Sequence, residues 1–270
     1  MRGNTMADTP DLGTSLKDFV ATVEIQRPPH NFFDYHLIQQ LADTFEELDK
    51  DENCRAIVLC AQGKSFCAGA NFGDGKSLSA DGSAKDAPNT GAAGHLYMEA
   101  VRLFACKKPV VGAIQGAAIG GGFGLSLVPD FRVGCSESRF AANFTRLGFH
   151  PGFGLTATLP RVVGQNKAAM MFYTSRRIKG EEALEMGLLD QLVPLENVRD
   201  AAWDLAREIA INAPLALLST RATMRGDLAE LVRKATDHEL QEQTWLRKTE
   251  DFREGVAATS DRRIPNFAGR

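Results

Sequence analysis

The sequence predicts an α/β protein with a C-terminal helical region. Short apolar strands alternate with amphipathic helices as far as about residue 198. Helical patterns without intervening strands then cover residues 201–211, 213–225 and 227–253. We therefore expect three segments: a disordered tail at residues 1–16, a core at residues 17–198 and a helical region at residues 199–270. The helical region should pack on the core or on a neighbouring subunit.

Apolar runs in the core predict four strands joined by helices. The strands are expected at residues 19–25, 55–61, 110–114 and 131–134. The second and third are short and almost wholly apolar, which is typical of strands buried on both faces. Helices are predicted from about residue 35, over 95–106 and over 125–128. Right-handed crossovers should arrange these strands as a parallel, twisted sheet.

Composition excludes several classes of function. A charged fraction of 24% and a formal net charge of -3 give no basic excess for binding nucleic acid. No uncharged apolar run reaches the roughly 20 residues of a membrane span, and the first 19 residues lack a secretory signal, so we expect a cytoplasmic protein. The five cysteines have irregular spacings without a C-x-x-C pair, which argues against a metal site.

Residues 71–94 are rich in Gly, Ser, Ala and Asp and have almost no apolar periodicity. A structureless segment of this length inside a compact domain is usually a lid or a binding loop. We expect this segment to cover a ligand site.

Five glycines lie within residues 116–124, after one predicted strand and before a predicted helix. Glycine lets the backbone approach a ligand and point N–H groups at negative charge, as in phosphate sites and oxyanion holes. The dinucleotide fingerprint fails at its last glycine, and no P-loop lysine follows. A packing turn and an NAD-dependent oxidoreductase remain alternatives, the second of which requires saturable NAD binding.

Three further segments accompany these glycines in a characteristic order. They are S-F-C-A-G-A-N at residues 65–71, P-G-F-G-L-T-A-T-L-P-R-V-V-G at 151–164 and T-S-R-R-I-K-G-E-E-A-L-E-M-G at 174–187. Together with Q-G-A-A-I-G-G-G at 115–122, they resemble the crotonase (enoyl-CoA hydratase/isomerase) superfamily. The resemblance implies a spiral of ββα repeats, a homotrimer or a hexamer, and an acyl-CoA substrate with no cofactor besides its coenzyme A.

The resemblance also implies roles for individual residues. By position, the main-chain N–H groups of Ala70 and Gly121 form an oxyanion hole for the thioester carbonyl. The residues that match substrate-binding positions of the family are Arg27, Ser65, Cys67, Ala68, Gly69, Gly120, Gly124, Phe144 and Arg262. An ordinary surface salt bridge is the alternative role for each of the two arginines.

The sequence departs from the hydratases where these carry their two catalytic glutamates. Those positions hold Gly124 and Phe144, and Gly152 stands where other members carry a catalytic Asp. None of the three transfers a proton. The aroyl-CoA dehalogenases share a Gly and an aromatic residue at the first two positions, so we expect a pocket shaped for a bulky or flat acyl group.

A replacement base must come from the walls of the same pocket. His150 lies in the loop that carries catalytic groups in several relatives, and imidazole is a suitable base near neutral pH. The alternative is a loop histidine bonded to backbone, and His95 and Tyr97 are second choices. We therefore predict an acyl-CoA-processing enzyme that is not a standard hydratase, or alternatively an inactive acyl-CoA-binding regulatory protein.

Overall fold

A computed structural model describes residues 11–70 and 96–270 of the chain. Its strands are β1 (Leu12–Lys17), β2 (Val20–Ile25), β3 (Ala56–Ala61), β4 (Val110–Ile114), β5 (Ala117–Ile119), β6 (Phe131–Gly134), β7 (Arg139–Ala141), β8 (Ile178–Lys179) and β9 (Gln191–Leu192). Its helices are α1 (Tyr35–Lys50), α2 (Leu96–Phe104), α3 (Gly121–Ser126), α4 (Leu155–Val163), α5 (Gln165–Thr174), α6 (Gly180–Glu185), α7 (Val198–Ala210), α8 (Pro214–Arg225), α9 (Leu228–Leu246) and α10 (Glu250–Ser260). Short 3₁₀ turns span Thr145–Leu147 and Leu195–Asn197.

The strands form two sheets. In the larger sheet the order is β1-β2-β3-β4-β6-β9, and every pair is parallel except the antiparallel pair β1–β2. The smaller sheet has the order β5-β7-β8, with β5–β7 parallel and β7–β8 antiparallel. The predicted parallel core and its four strands are confirmed.

Two apolar clusters cover the faces of the larger sheet. On one face α1 buries Leu37, Leu41 and Phe45 in the main core. On the other face α7 packs Ala202 and Ala206 against the strands, and small side chains let a helix approach a sheet closely. All five cysteines are buried and free of disulfides, as expected of small apolar residues.

The predicted segment boundaries need correction at both ends. Residues 12–16 are not disordered, because they belong to strand β1, which pairs with β2 along its length; residues 1–10 lie outside the described part. The helical region does not start as a separate unit at residue 199, since α7 is part of the core. Helices α9 and α10 also pack on the same chain, against α2, α4 and the first 3₁₀ turn.

Two predicted helices have other bounds in the structure. The helix after the glycine cluster begins at Gly121 rather than at residue 125. The helical pattern of residues 227–253 contains two helices, because the Thr249 side chain accepts a hydrogen bond from the Phe252 N–H and starts α10. The predicted loop at residues 71–94 lies outside the described residues, as does His95. Among the helices that the structure describes, none is long and apolar enough to cross a membrane.

Candidate functional site

Two loops at the ends of neighbouring strands are joined directly. Residues 65–70 follow β3, and residues 115–122 follow β4 and contain β5. The Cys67 N–H donates to the Ala117 carbonyl at 2.9 Å, and the Ile119 N–H donates to the Cys67 carbonyl at 3.0 Å. The carboxyl ends of neighbouring parallel strands lie at one edge of a sheet, so both loops reach the same site.

The two predicted oxyanion donors, Ala70 and Gly121, lie on the wall of one cavity. Within the described residues neither main-chain N–H donates a hydrogen bond, whereas the Gly120 N–H is bonded to the Ala141 carbonyl at 2.8 Å. Gly121 is the first residue of α3, a position whose N–H has no acceptor inside the helix. Both donors are thus available to a ligand.

Close packing explains the consecutive glycines of this segment. A Cβ atom on Gly121 would lie 2.3 Å from Cζ of Phe33, and one on Gly122 would lie 2.1 Å from the Cys67 carbonyl oxygen. Because the Cys67 carbonyl is a backbone group, position 122 requires glycine for α3 to begin against the residue 65–70 loop, whereas a side chain at position 121 would have to displace the Phe33 ring.

The cavity beside these donors has a volume of about 350 Å³, within the usual range of small-molecule sites. Its apolar and aromatic wall consists of Phe33, Leu96, Tyr97, Phe144, Leu147, Phe149 and Val256, together with the two loops. Its polar side chains are Asn143, Arg177, Arg247, Thr259 and Ser260. Over residues 11–70 and 96–270, the lining includes no Asp, Glu, His or Lys.

Phe144 lies on this wall as predicted, and it is part of a row of aromatic rings. Its ring centroid is 5.3 Å from that of Phe149, which is 5.4 Å from that of Phe252. Both contacts are edge-to-face, a favourable arrangement of aromatic quadrupoles. Phe144, at the position where the hydratases carry a glutamate, is therefore part of an apolar surface.

Gly124, the other hydratase position, does not line the cavity. A Cβ on Gly124 would lie 2.7 Å from both Cβ and Cδ1 of Phe153, a fully buried residue whose ring packs at 5.6 Å from that of Phe33. Phe153 therefore occupies the space that a side chain at position 124 would need. The prediction that Gly124 binds substrate is not supported by this placement.

The structure does not bring His150 to the cavity. Its Nδ1 lies 2.9 Å from the Pro151 carbonyl oxygen, and its ring faces His238 at 5.7 Å. The His150 main chain is also held, because the Gln243 side chain on α9 donates to its carbonyl at 2.9 Å. The alternative of a backbone-bonded loop histidine describes the observed geometry.

Tyr97, a second choice in the sequence, does line the cavity. Its hydroxyl donates to Oε1 of Gln243 at 3.0 Å, and burial is the main cause that raises the pKa of Tyr97 above its usual value. A Cβ on Gly152 would lie only 1.9 Å from this phenol oxygen. The hydroxyl thus occupies the space that a side chain at position 152 would need.

The residues of the two loops that were predicted to bind substrate are divided between the cavity lining and the surrounding structure. Ala68, Gly69 and Gly120 line the cavity. The two buried residues Ser65 and Cys67 do not, and burial raises the pKa of the Cys67 thiol to about 12.

The two arginines that were predicted to bind substrate lie outside the cavity lining. Arg27 is paired with Asp11 at 2.6 Å and with Asp34 at 2.9 Å, as expected of an ordinary ion pair. Arg262 is exposed, and its role in binding substrate stays a prediction.

The contribution of α9 to the site was not predicted from the sequence. The buried residues of this helix are Val232, Thr236, Glu239 and Gln243, so its buried face is mostly polar. Glu239 accepts hydrogen bonds from the N–H groups of Gly154 at 2.8 Å and Thr156 at 3.0 Å, at the start of α4. The sequence signal that could have predicted this contribution is the helical spacing of polar residues that need hydrogen-bond partners when they are buried.

No group of three or more His, Cys, Asp or Glu residues able to hold a metal ion occurs within residues 11–70 and 96–270.

Comparisons with known proteins agree with this architecture. The model of the enoyl-CoA hydratase/isomerase family matches residues 16–270. The chain is 30% identical to the 1,2-epoxyphenylacetyl-CoA isomerase of Escherichia coli (strain K12), over 93% of this chain and 95% of that protein. It is 33% identical to the short-chain-enoyl-CoA hydratase of Clostridium acetobutylicum, over 77% and 78% of the two chains. A crystal structure of an enoyl-CoA hydratase/isomerase from Pseudoalteromonas atlantica T6c superimposes with a TM-score of 0.83 at 28% identity, covering 96% of this chain and all of the other.

Proposed function

Because this chain belongs to the enoyl-CoA hydratase/isomerase family of the crotonase superfamily, an enzyme family acting on CoA esters, we propose that Ala70 and Gly121 bind a thioester carbonyl oxygen through their N–H groups. The observation that carries this proposal is the presence of both donors, without internal acceptors in the described structure, on one cavity. When a proton leaves the α-carbon or a nucleophile adds to the carbonyl, negative charge collects on this oxygen. One preorganised donor stabilises such charge by about 2.7–4 kcal/mol.

We further propose that the protein is not a standard hydratase. Addition of water to an enoyl thioester needs one group to take a proton from water and one to deliver a proton to the α-carbon. Neither Gly124 nor Phe144 can do this, and Phe153 fills the space beside position 124. In the described lining Tyr97 carries a transferable proton, but no side chain accepts one near neutral pH.

The acyl group that fits this cavity is bulky or flat. The wall formed by Phe33, Phe144 and Phe149 offers ring faces and edges, which favour contacts with another π system. The Escherichia coli relative is named as an isomerase of 1,2-epoxyphenylacetyl-CoA, which supports an aromatic-derived acyl group.

One observation favours a second candidate function. A cavity that keeps its main-chain donors and lacks a base in its described lining fits a protein that binds acyl-CoA without turnover and regulates a partner. Main-chain donors also bind the carbonyl of an unreacted thioester, so they are compatible with either function.

Two assays on the same thioesters separate these candidates. The first follows exchange of the α-protons with D₂O by NMR, and the second follows release of free CoA thiol; crotonyl-CoA hydration is measured in parallel. We expect exchange or thiol release with an aryl-substituted thioester and little hydration of crotonyl-CoA. Tight binding by calorimetry without either reaction on a broad panel supports the regulatory function, and absence of binding rejects both.

We also propose self-association as a homotrimer or a hexamer. Helix α8 buries Arg221 but leaves Leu215 and Met224 exposed by 81% and 76%. Apart from Arg221 no residue of α8 is buried, so most of the surface of this helix is accessible to a second copy of the chain. Sedimentation equilibrium should give a mass of three or six chains, and a monomeric mass contradicts this proposal.

A further inference from the structure

The Asn143 side chain is a neutral polar group on the cavity wall. Strand β5 pairs in parallel with β7, so the segments that follow these two strands lie side by side. The Gly120 N–H fixes the arrangement, because it donates to the Ala141 carbonyl at 2.8 Å. Asn143, two residues after the end of β7, is therefore held beside the glycines that open α3.

The Asn143 amide lies against Gly120, the residue before the proposed donor Gly121. A Cβ on Gly120 would lie 3.4 Å from Oδ1 of Asn143 and 3.8 Å from Cζ of Phe144. The amide and the Phe144 ring thus meet the same point of the main chain. A ligand whose carbonyl oxygen accepts from the Gly121 N–H places the carbons next to that carbonyl within reach of both groups.

The hydrogen-bonding capacity of the Asn143 amide is not used inside the part of the chain that the structure describes. The main-chain carbonyl of Asn143 accepts from the Leu147 N–H at 3.3 Å, whereas within those residues no hydrogen bond engages the side chain. A carboxamide has two N–H donors and an acceptor oxygen. An apolar ligand that covered this group would remove its water without replacing the hydrogen bonds, which is unfavourable. The wall therefore favours a ligand with a hydrogen-bonding group at this point.

Resting on the thioester-binding function proposed above, we propose that Asn143 is a specificity-determining residue that hydrogen-bonds an oxygen substituent of the acyl group. The ligand class is an acyl-CoA with a hydroxyl or an oxo group on the α- or β-carbon. A carboxamide accepts from a hydroxyl and donates to an oxo group, so it suits both. The Phe144 ring beside it then contacts the carbon skeleton of the same acyl group.

Matched ligands isolate the contribution of the oxygen substituent. Calorimetry on the whole chain compares butyryl-CoA with 2-hydroxybutyryl-CoA, 3-hydroxybutyryl-CoA and 3-oxobutyryl-CoA. All four have the same nucleotide, the same thioester and the same number of acyl carbons. We expect at least one substituted thioester to bind about 2- to 13-fold more tightly than butyryl-CoA, the range of one neutral hydrogen bond. The preferred ligand identifies the carbon that lies beside Asn143.

Two variants of Asn143 locate the effect. Asn143→Leu removes the donors and the acceptor with little change in side-chain size, so the preference over butyryl-CoA should disappear while butyryl-CoA itself binds at least as tightly. Asn143→Asp keeps an acceptor but loses the N–H donors, so a preference for a hydroxyl should remain and one for 3-oxobutyryl-CoA should be lost. Asn197→Leu is the matched control, because Asn197 is exposed, caps α7 without a side-chain hydrogen bond and lies outside the cavity lining. Its preferences should match those of the wild type.

If the wild type binds butyryl-CoA and no substituted thioester has an advantage, the role of Asn143 is refuted while thioester binding survives. That comparison needs no variant, so it stands even if a variant misfolds. A preference that persists in Asn143→Leu also overturns the proposal. Equal weakening of all four ligands in Asn143→Leu does so too, since it assigns the amide to the thioester carbonyl or to coenzyme A. If none of the thioesters binds to the wild type, the proposed function itself is rejected.

Discussion

Replacing Gly124 with alanine tests whether Phe153 occupies the space that a side chain at position 124 would need. This is a position where the hydratases carry a glutamate. The new Cβ would lie 2.7 Å from Cβ and Cδ1 of Phe153 and 2.9 Å from its Cγ. Because Cβ of Phe153 is fixed to the backbone, a change of side-chain rotamer does not relieve the contact. Overpacking of this kind costs about 1–3 kcal/mol, whereas alanine gains at most about 1 kcal/mol over glycine in a helix. We therefore expect a net loss of stability.

The matched background is Phe153→Gly, which removes the clashing Cβ. Phe153 has a φ of +62°, a conformation that suits glycine. Urea unfolding of the wild type, both single variants and the double variant forms a double-mutant cycle. In the Phe153→Gly background Gly124→Ala should be neutral or stabilising, so the cycle should show a coupling of about 1–3 kcal/mol between the two sites. An equal cost of Gly124→Ala in both backgrounds refutes the packing argument.

Three further predictions concern the surroundings of the cavity. Tyr97→Phe removes the donor to Gln243 and should lower the free energy of unfolding by about 0.5–1.5 kcal/mol, measured in urea. Phe144→Ala should weaken binding of benzoyl-CoA relative to butyryl-CoA by about 2- to 13-fold, the equivalent of one aromatic contact, measured by calorimetry. Burial raises the pKa of Glu239 above the ordinary 4.5, so the folded state binds this proton more strongly than the unfolded state. The stability of the wild type relative to Glu239→Gln should therefore fall as the pH rises above 4.5, and a constant difference across pH contradicts that assignment.

Apolar periodicity predicted the parallel core well, because continuous runs such as β3 have few alternatives to a buried strand. It failed where elements are short or polar. Strand β1 alternates weakly and is stabilised by pairing with β2, and β8 and β9 have two residues each, too few for any period. The break between α9 and α10 depends on the Thr249 cap, which an otherwise helical pattern hides.

In the candidate site, too, some features could be predicted from the sequence and others could not. The loops of residues 65–70 and 115–122 could be placed together from their positions after neighbouring strands, and the structure brings them into contact. The orientation of the His150 loop could not be predicted, since Gln243, about ninety residues away, fixes it. Arg247 reaches the cavity from the same distant helical region, whose packing on its own chain the sequence left open.

The bond between the thioester carbonyl and the two main-chain donors can be observed by isotope-edited infrared spectroscopy. A CoA thioester labelled with ¹³C at the carbonyl is bound to the protein, and its stretching frequency is compared with that of the same thioester in water. Two fixed N–H donors from Ala70 and Gly121 should polarise the carbonyl and shift the band to a lower frequency than in water. A bound carbonyl with the frequency found in water or a higher one contradicts the account.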